Sequence, residues 1–339
     1  MHGHRNRRDF LKDSALAALG GALAASAAGR TASAAPAGRP AIVLPPQTHM
    51  GLPSGKLGTL QVTRLFLGCN QVSGYAHCRD LDYVNRLMNE YQTDERVLST
   101  WQLCEEQGIN TVLSDPFEKP VRIMKRYRKE RGGKIQWISE IHPKKYQYEI
   151  RLPDLKEHLK EVLDHEPHAM YIQGAISDAF VDRGLVEELG EALELMKQSG
   201  LPSGLGAHSV ETPRACMKAG LQPDFFMKTF HSEDYWSATP REQRVEFNVD
   251  RRSPTNHDNM WDIKPEATRE VMAHFAKPWI AFKVMAAGAI PPEKAFRFAF
   301  QGGADFICAG MFDFQVAEDV AIAKKVLAES LDRQRSWSA

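Results

Sequence analysis

Ser203-Gly204-Leu205-Gly206-Ala207-His208 and, after a longer amphipathic interval, Phe225-Phe226-Met227-Lys228-Thr229 set the rhythm by which this chain is read. Each run is short and nearly continuous in apolar or small residues, the pattern of a strand buried on both faces. The rhythm extends outward in both directions. Arg64–Gly68, Asn110–Ser114, Ile135–Ile141 and Ala169–Gln173 precede the pair, and Trp279–Met285 and Phe306–Gly310 follow it. Helical spacing fills the intervals: Val186, Leu189, Leu193 and Met196 fall on one helix face, as do Leu155, Leu159 and Leu163, and apolar residues recur at helical intervals from Val316 to Leu331. Strands alternating eight times with helices predict an α/β fold, a single closed (β/α)8 TIM barrel over residues 56–331 with a tail at 332–339. No Gly-x-Gly-x-x-Gly turn follows an early strand, which counts against a doubly wound open sheet.

Around this frame, residues 35–55 are rich in Pro, Gly and Ala and predict a linker. The stretch 232–263 is a loop far beyond the usual ~2–6 residues of a βα connection, and in a barrel it belongs on the C-terminal face. The N-terminus carries Arg7-Arg8-Asp9-Phe10-Leu11-Lys12, a mild apolar segment from Ser14 to Ala28, and Ala32-Ser33-Ala34. This closely resembles a twin-arginine signal with a small-residue cleavage site. It predicts a signal peptide at 1–34 and export to the periplasm or the extracellular space. The apolar segment falls short of the ~20 residues of a membrane span, so no stable membrane anchor is expected.

The full chain of 339 residues holds 43 basic and 43 acidic side chains, for a formal charge of zero. Without a basic excess, no nucleic-acid partner is expected. Cys69, Cys78, Cys104, Cys216 and Cys308 are an odd set without paired spacing, unlike a disulfide framework or a zinc motif.

Several stretches resemble the aldo/keto reductases. Leu57-Gly58-Thr59-Leu60-Gln61-Val62-Thr63-Arg64-Leu65-Phe66-Leu67-Gly68 is similar to that family's opening hairpin and first strand. Gln102 to Asn110 resembles its first barrel helix, and Gly303 to Met311 with Glu318-Asp319-Val320 its eighth strand and following helix. The resemblance implies a barrel and, in the family, an Asp-Tyr-Lys-His tetrad that protonates a carbonyl while NADPH delivers hydride. In this chain the aspartate position falls on Leu113, the lysine position on Glu140 and the histidine position on Gln173, and no tyrosine stands a few residues after Asp115. The tetrad is therefore expected to be missing.

Strand ends of a barrel point into one mouth, where different chemistry is expected. Glu140 and His142 share a strand face. With His208 and His231 they form a candidate set for a divalent metal, since imidazole and carboxylate suit such ions. Lys228 and Lys283, each within an apolar run, together with Asp115, are the candidate proton-transfer groups, with a structural salt-bridge network as the rival reading. Gly288 and Gly310 are candidate cofactor-binding glycines whose backbone N–H groups would cradle an anion. Gln173, Trp236, Trp261 and Asn259 would meet a sugar-like substrate, the tryptophans by stacking and the amides by hydrogen bonds. A lid or dimer contact is the other reading of the long loop, so a homo-oligomer stays open.

Together these expectations describe an exported enzyme performing metal-assisted carbonyl or proton-transfer chemistry on a small, sugar-like molecule. An NADP-dependent oxidoreductase with a replaced proton donor is one alternative. A non-catalytic barrel that binds a carbohydrate or a partner protein is the other.

Overall fold

A computed structural model describes residues 48–79, 81–248, 260–333 and 335–339. The signal segment, most of the linker and Asn259 lie outside the described residues. The strands in chain order are β1 (Thr48–His49), β2 (Leu52–Leu57), β3 (Leu60–Thr63), β4 (Leu65–Gly68), β5 (Thr111–Ser114), β6 (Gln136–Ile141), β7 (Ala169–Ile172), β8 (Ser203–Ala207), β9 (Phe225–Thr229), β10 (Trp279–Phe282) and β11 (Phe306–Gly310). The eight from β4 to β11 form a closed, all-parallel barrel in sequence order, sealed by pairing of β11 with β4. Helices run between successive strands, as the strand–helix rhythm predicts. Among the described residues no helix is long and apolar enough to cross a membrane.

Strand alternation splits the apolar residues into two sets. Phe66, Leu113, Ile138, Ala169, Tyr171, Phe225, Met227, Ile280, Phe306 and Cys308 fill the barrel interior. Leu65, Leu67, Val112, Trp137, Met170, Leu205, Phe226, Trp279 and Ile307 face the helices. Phe66 stacks on Phe306 at 5.2 Å between ring centres. Gly204 is required where Phe225 turns inward, because a Cβ there would overlap the Phe225 ring.

Two boundaries differ from the sequence reading. β2 begins at Leu52, inside the stretch read as linker, and pairs with β1 and β3 in an antiparallel sheet. Its Leu57, with Val62 of β3, joins the barrel interior and closes the N-terminal end. The stretch read as a tail is docked: the Arg335 guanidinium bonds Asp305 Oδ2 at 2.7 Å, and the carbonyl oxygens of Phe275 and Lys277 at 2.8 Å each. The buried Arg64 guanidinium lies 4.2 Å over Trp337. The β2–β3 hairpin and residues 335–339 therefore pack at the bottom of the barrel, and among the described residues the C-terminal mouth stays open.

Candidate functional site

The mouth opens into a cavity of about 1560 Å³. Asp115, Glu140, His142, Gln173, His208, Trp261, Lys283, Gly288 and Gly310 all line it. Most of the sequence candidates are thus gathered in one place, and the exceptions follow from strand geometry.

One wall is acidic. Glu140 is inward-facing on β6 and stands in register with Tyr171 of β7. The Tyr171 hydroxyl donates to Glu140 Oε1 at 2.7 Å, and Glu140 Oε2 lies 3.1 Å from His142 Nδ1. Asp115, just past β5, accepts from the Ser73 hydroxyl and from the Phe117 amide at 3.1 Å. Burial, followed by the charge of Glu140, raises the Asp115 pKa above the ordinary carboxylate range. Burial, with Glu140 beside it, also pushes the Tyr171 hydroxyl well above 10, so it stays a donor.

The facing wall is basic and aromatic. Lys283 follows β10, which stops at Phe282; the sequence reading carries this strand on to Met285, but Lys283 takes φ 57° and ends it. Its ammonium lies 2.9 Å from His77 Nε2 and 5.0 Å over the Trp261 ring. Burial, then the charge of Lys283, lowers the His77 pKa well below 6.5. The same two causes, in the same order, lower that of His208. Both imidazoles are neutral at pH 7.

The proposed metal set is not assembled. His231 uses both ring nitrogens elsewhere: Nδ1 lies 3.0 Å from the Ser232 carbonyl, and Nε2 accepts the Asp262 amide at 3.2 Å. His208 Nδ1 is held 3.1 Å from Asp178 Oδ2, which also accepts the His208 amide at 2.8 Å. Only Glu140 and His142 pair with each other. Among the described residues no group of three or more His, Cys, Asp or Glu is placed to hold one ion.

Lys228 is also corrected. Phe225 and Met227 point into the barrel, so Phe226 and Lys228 point out of it. The Lys228 ammonium, 1% exposed, donates to the Thr229 carbonyl at 2.9 Å and Oγ1 at 2.8 Å, and lies 3.4 Å from Asp262 Oδ1. It does not face Asp115 or Glu140. The salt-bridge reading holds for this lysine.

Three further candidates are altered. Gln173 lines the cavity, but its Oε1 caps the helix Gly174–Asp182 through the Ala175 and Ile176 amides at 2.8 and 3.3 Å, which leaves only Nε2 for a ligand. Trp236 is 82% exposed outside the cavity, packed beneath the Arg79 guanidinium at 5.2 Å. Gly288 lines the cavity, but its amide already donates to the Met285 carbonyl at 2.9 Å, so it cannot cradle an anion.

Tyr171 and His77 are site residues that the sequence reading missed. Aligning the ends of β6 and β7 would have set Tyr171 beside Glu140, as parallel register requires. His77 lies in an irregular loop after β4, where no periodicity marks it.

No protein-family model matches the sequence, and no curated protein is detectably similar to it. Solved structures do match. Two structures of candidate aldo-keto reductase from Pseudomonas aeruginosa superpose with TM-scores of 0.55 and 0.58 at 17% and 16% identity. They cover 81% and 83% of this chain and 94% and 98% of theirs. An aldo-keto reductase from Bacillus halodurans in its holo form gives 0.51 at 11% identity, covering 84% of this chain and 98% of that one. At such identities the likeness shows the fold: an aldo-keto reductase-like (β/α)8 barrel.

Proposed function

We propose that the protein is an oxidoreductase that interconverts a carbonyl and a hydroxyl on a small, sugar-like molecule with NADP, and that the groups around Glu140 replace the tetrad as the proton relay. The observation that carries this reading is the continuity of the cavity. It runs without interruption from the Asp115–Glu140–Tyr171 wall to Phe312 and Gln315 at the start of the helix Asp313–Ala328. Pockets for one drug-sized ligand span ~300–1000 Å³, so about 1560 Å³ has room for two molecules side by side.

The residues at the ends of β4 and β11 fit the nicotinamide end of such a cofactor. Gln71 Oε1 is buried without a hydrogen-bond partner and lies against Gly310, where any side chain would collide with it. A stranded acceptor of this kind suits an amide N–H donor, because leaving it unmade costs ~1–3 kcal/mol. When bound, the nucleotide would supply or accept the hydride.

The chain's own part is the proton. Asp115, kept protonated to higher pH than an ordinary aspartate, can donate to a developing alkoxide. Glu140, fixed by Tyr171 and within reach of His142, can take up or pass on that proton. Gln173 Nε2 and the Trp261 face remain to orient a hydroxylated substrate.

A second reading, proton transfer beside a carbonyl without a nucleotide, is favoured by one feature. The first turn of the helix Asp313–Ala328 carries Asp313, paired with Arg96 at 2.8 Å and bonded by the Tyr91 hydroxyl at 2.7 Å. A carboxylate there offers a phosphate no welcome. Fluorescence titration with NADPH, followed by NADPH-consuming assays on a panel of aldoses, decides between the two. Saturable binding with turnover supports the oxidoreductase, and aldose isomerisation without nucleotide binding supports the second reading.

A further inference from the structure

Three segments far apart in sequence meet on the basic side of the mouth, each bent through the left-handed backbone region. His77 has φ 48°, Trp261 φ 59° and Lys283 φ 57°. None is glycine, and side chains of this size rarely adopt such a backbone. Strain of this kind persists where the surroundings fix it, and it clusters at functional sites. Here its effect is visible. By turning left-handed directly after β10, the chain swings Lys283 off the barrel wall and into the cavity mouth.

The three side chains contact one another. The Lys283 nitrogen lies 2.9 Å from His77 Nε2. The Trp261 ring sits beneath the amine, edge-on to His77 at 6.3 Å and to His208 at 5.3 Å between ring centres. All four residues line the cavity. His77 is neutral and accepts at Nε2, so a base stands at the amine. An amine set beside a neutral imidazole and against an aromatic face is an arrangement that suits a nucleophilic lysine.

We propose that Lys283 is a nucleophilic amine that captures aldehydes and ketones entering the cavity as an imine. The ammonium first releases one proton to water in the cavity mouth, which leaves the amine donating to His77 Nε2. The freed nitrogen pair then attacks the carbonyl carbon. As the C–N bond forms, the carbonyl π pair moves to oxygen, and the two protons needed to turn that oxygen into water come from the one released to water and from the nitrogen itself, the latter relayed through His77 Nε2. The C–O bond breaks, water leaves, and the nitrogen lone pair closes the C=N bond. One ammonium and one carbonyl compound become one protonated imine and one water, with no change in oxidation state. The carboxylates on the facing wall would then be placed to remove a proton from the carbon next to the imine.

This inference rests on the proposed function only in that a carbonyl compound enters the same cavity. It needs no nucleotide, so the two fail separately. The test uses the full protein, nucleotide-free, incubated with glyceraldehyde and reduced with borohydride, then peptide-mapped by mass spectrometry. The expected result is one adduct on Lys283, formed at least tenfold faster than on exposed lysines such as Lys129 and Lys218. His77→Gln should slow labelling of Lys283 about tenfold. Lys283→Arg, which keeps the charge, should abolish the fast adduct. Labelling of Lys283 in the wild-type protein no faster than of the exposed lysines overturns the proposal, whatever the variants do.

Discussion

Replacing Lys228 with methionine separates a buried structural cation from a catalytic one. The substitution keeps the aliphatic stem and removes the ammonium, so the outer face of β9 stays filled. Asp262, 2% exposed at its side chain, loses its cationic partner and retains only the Thr268 hydroxyl at 2.8 Å and the His231 amide at 3.3 Å. Breaking a buried pair from one side costs ~3–5 kcal/mol, because the remaining charge is left uncompensated. The Thr229 carbonyl loses a donor as well. At roughly 2 °C per kcal/mol for a barrel of this size, the melting temperature should fall by about 6–10 °C. Urea denaturation should show a lower midpoint at unchanged slope. Converting Asp262 to Asn in the same variant should recover part of the loss, since the stranded charge is then gone. Binding of ligand in the cavity should be unaffected below the melting transition. A Lys228→Met protein that keeps its stability to within ~1 kcal/mol but loses ligand binding would refute the outward placement of Lys228.

Two further perturbations probe the polar groups. Glu140→Gln should lower kcat by roughly 10²–10⁴ with little change in KM, as expected for loss of a proton-transfer group; an unchanged kcat would remove Glu140 from the relay. Asp178 is fully buried, and burial raises its pKa to about 7. The folded state therefore binds its proton more tightly than the unfolded chain does. The resulting stability is complete below about pH 4 and lost as pH rises through about 7. Compared with Asp178→Asn, the wild type should lose stability across that window and none beyond it, and parallel stability profiles for the two proteins would contradict the assignment.

The barrel itself was legible because parallel strands buried on both faces leave short apolar runs, and helices leave their own period between them. The same property hid the direction of Lys228. A run such as Phe225-Phe226-Met227-Lys228 has no polar–apolar alternation to say which residues face inward. Boundaries slipped where a local conformation ended an element without a compositional signal: nothing in Phe282-Lys283-Val284 announces the left-handed turn at Lys283. Glu140, His142 and His208 were found because they stand at strand ends, where barrel geometry aims them at one mouth. Whether they could share one metal ion is not legible from position, because it depends on what each imidazole nitrogen is already bonded to, and among the described residues they do not assemble such a site. His231 is committed to Ser232 and Asp262, two contacts made by a loop that no periodicity describes. Short segments outside the barrel likewise give no sign that they dock, because Leu57, Arg335 and Trp337 find their partners only once the barrel exists.

The central claim is that this barrel's cavity takes a nicotinamide nucleotide beside its acid–base wall. Its most direct test is equilibrium titration of the purified protein with NADPH and NADH, following nucleotide fluorescence, in the wild type and in Gln71→Leu. The account predicts saturable one-to-one binding in the wild type. Gln71→Leu should weaken it about tenfold, consistent with the loss of one buried hydrogen bond of ~1–1.5 kcal/mol. No saturable binding of either nucleotide to a folded wild-type protein would contradict the account.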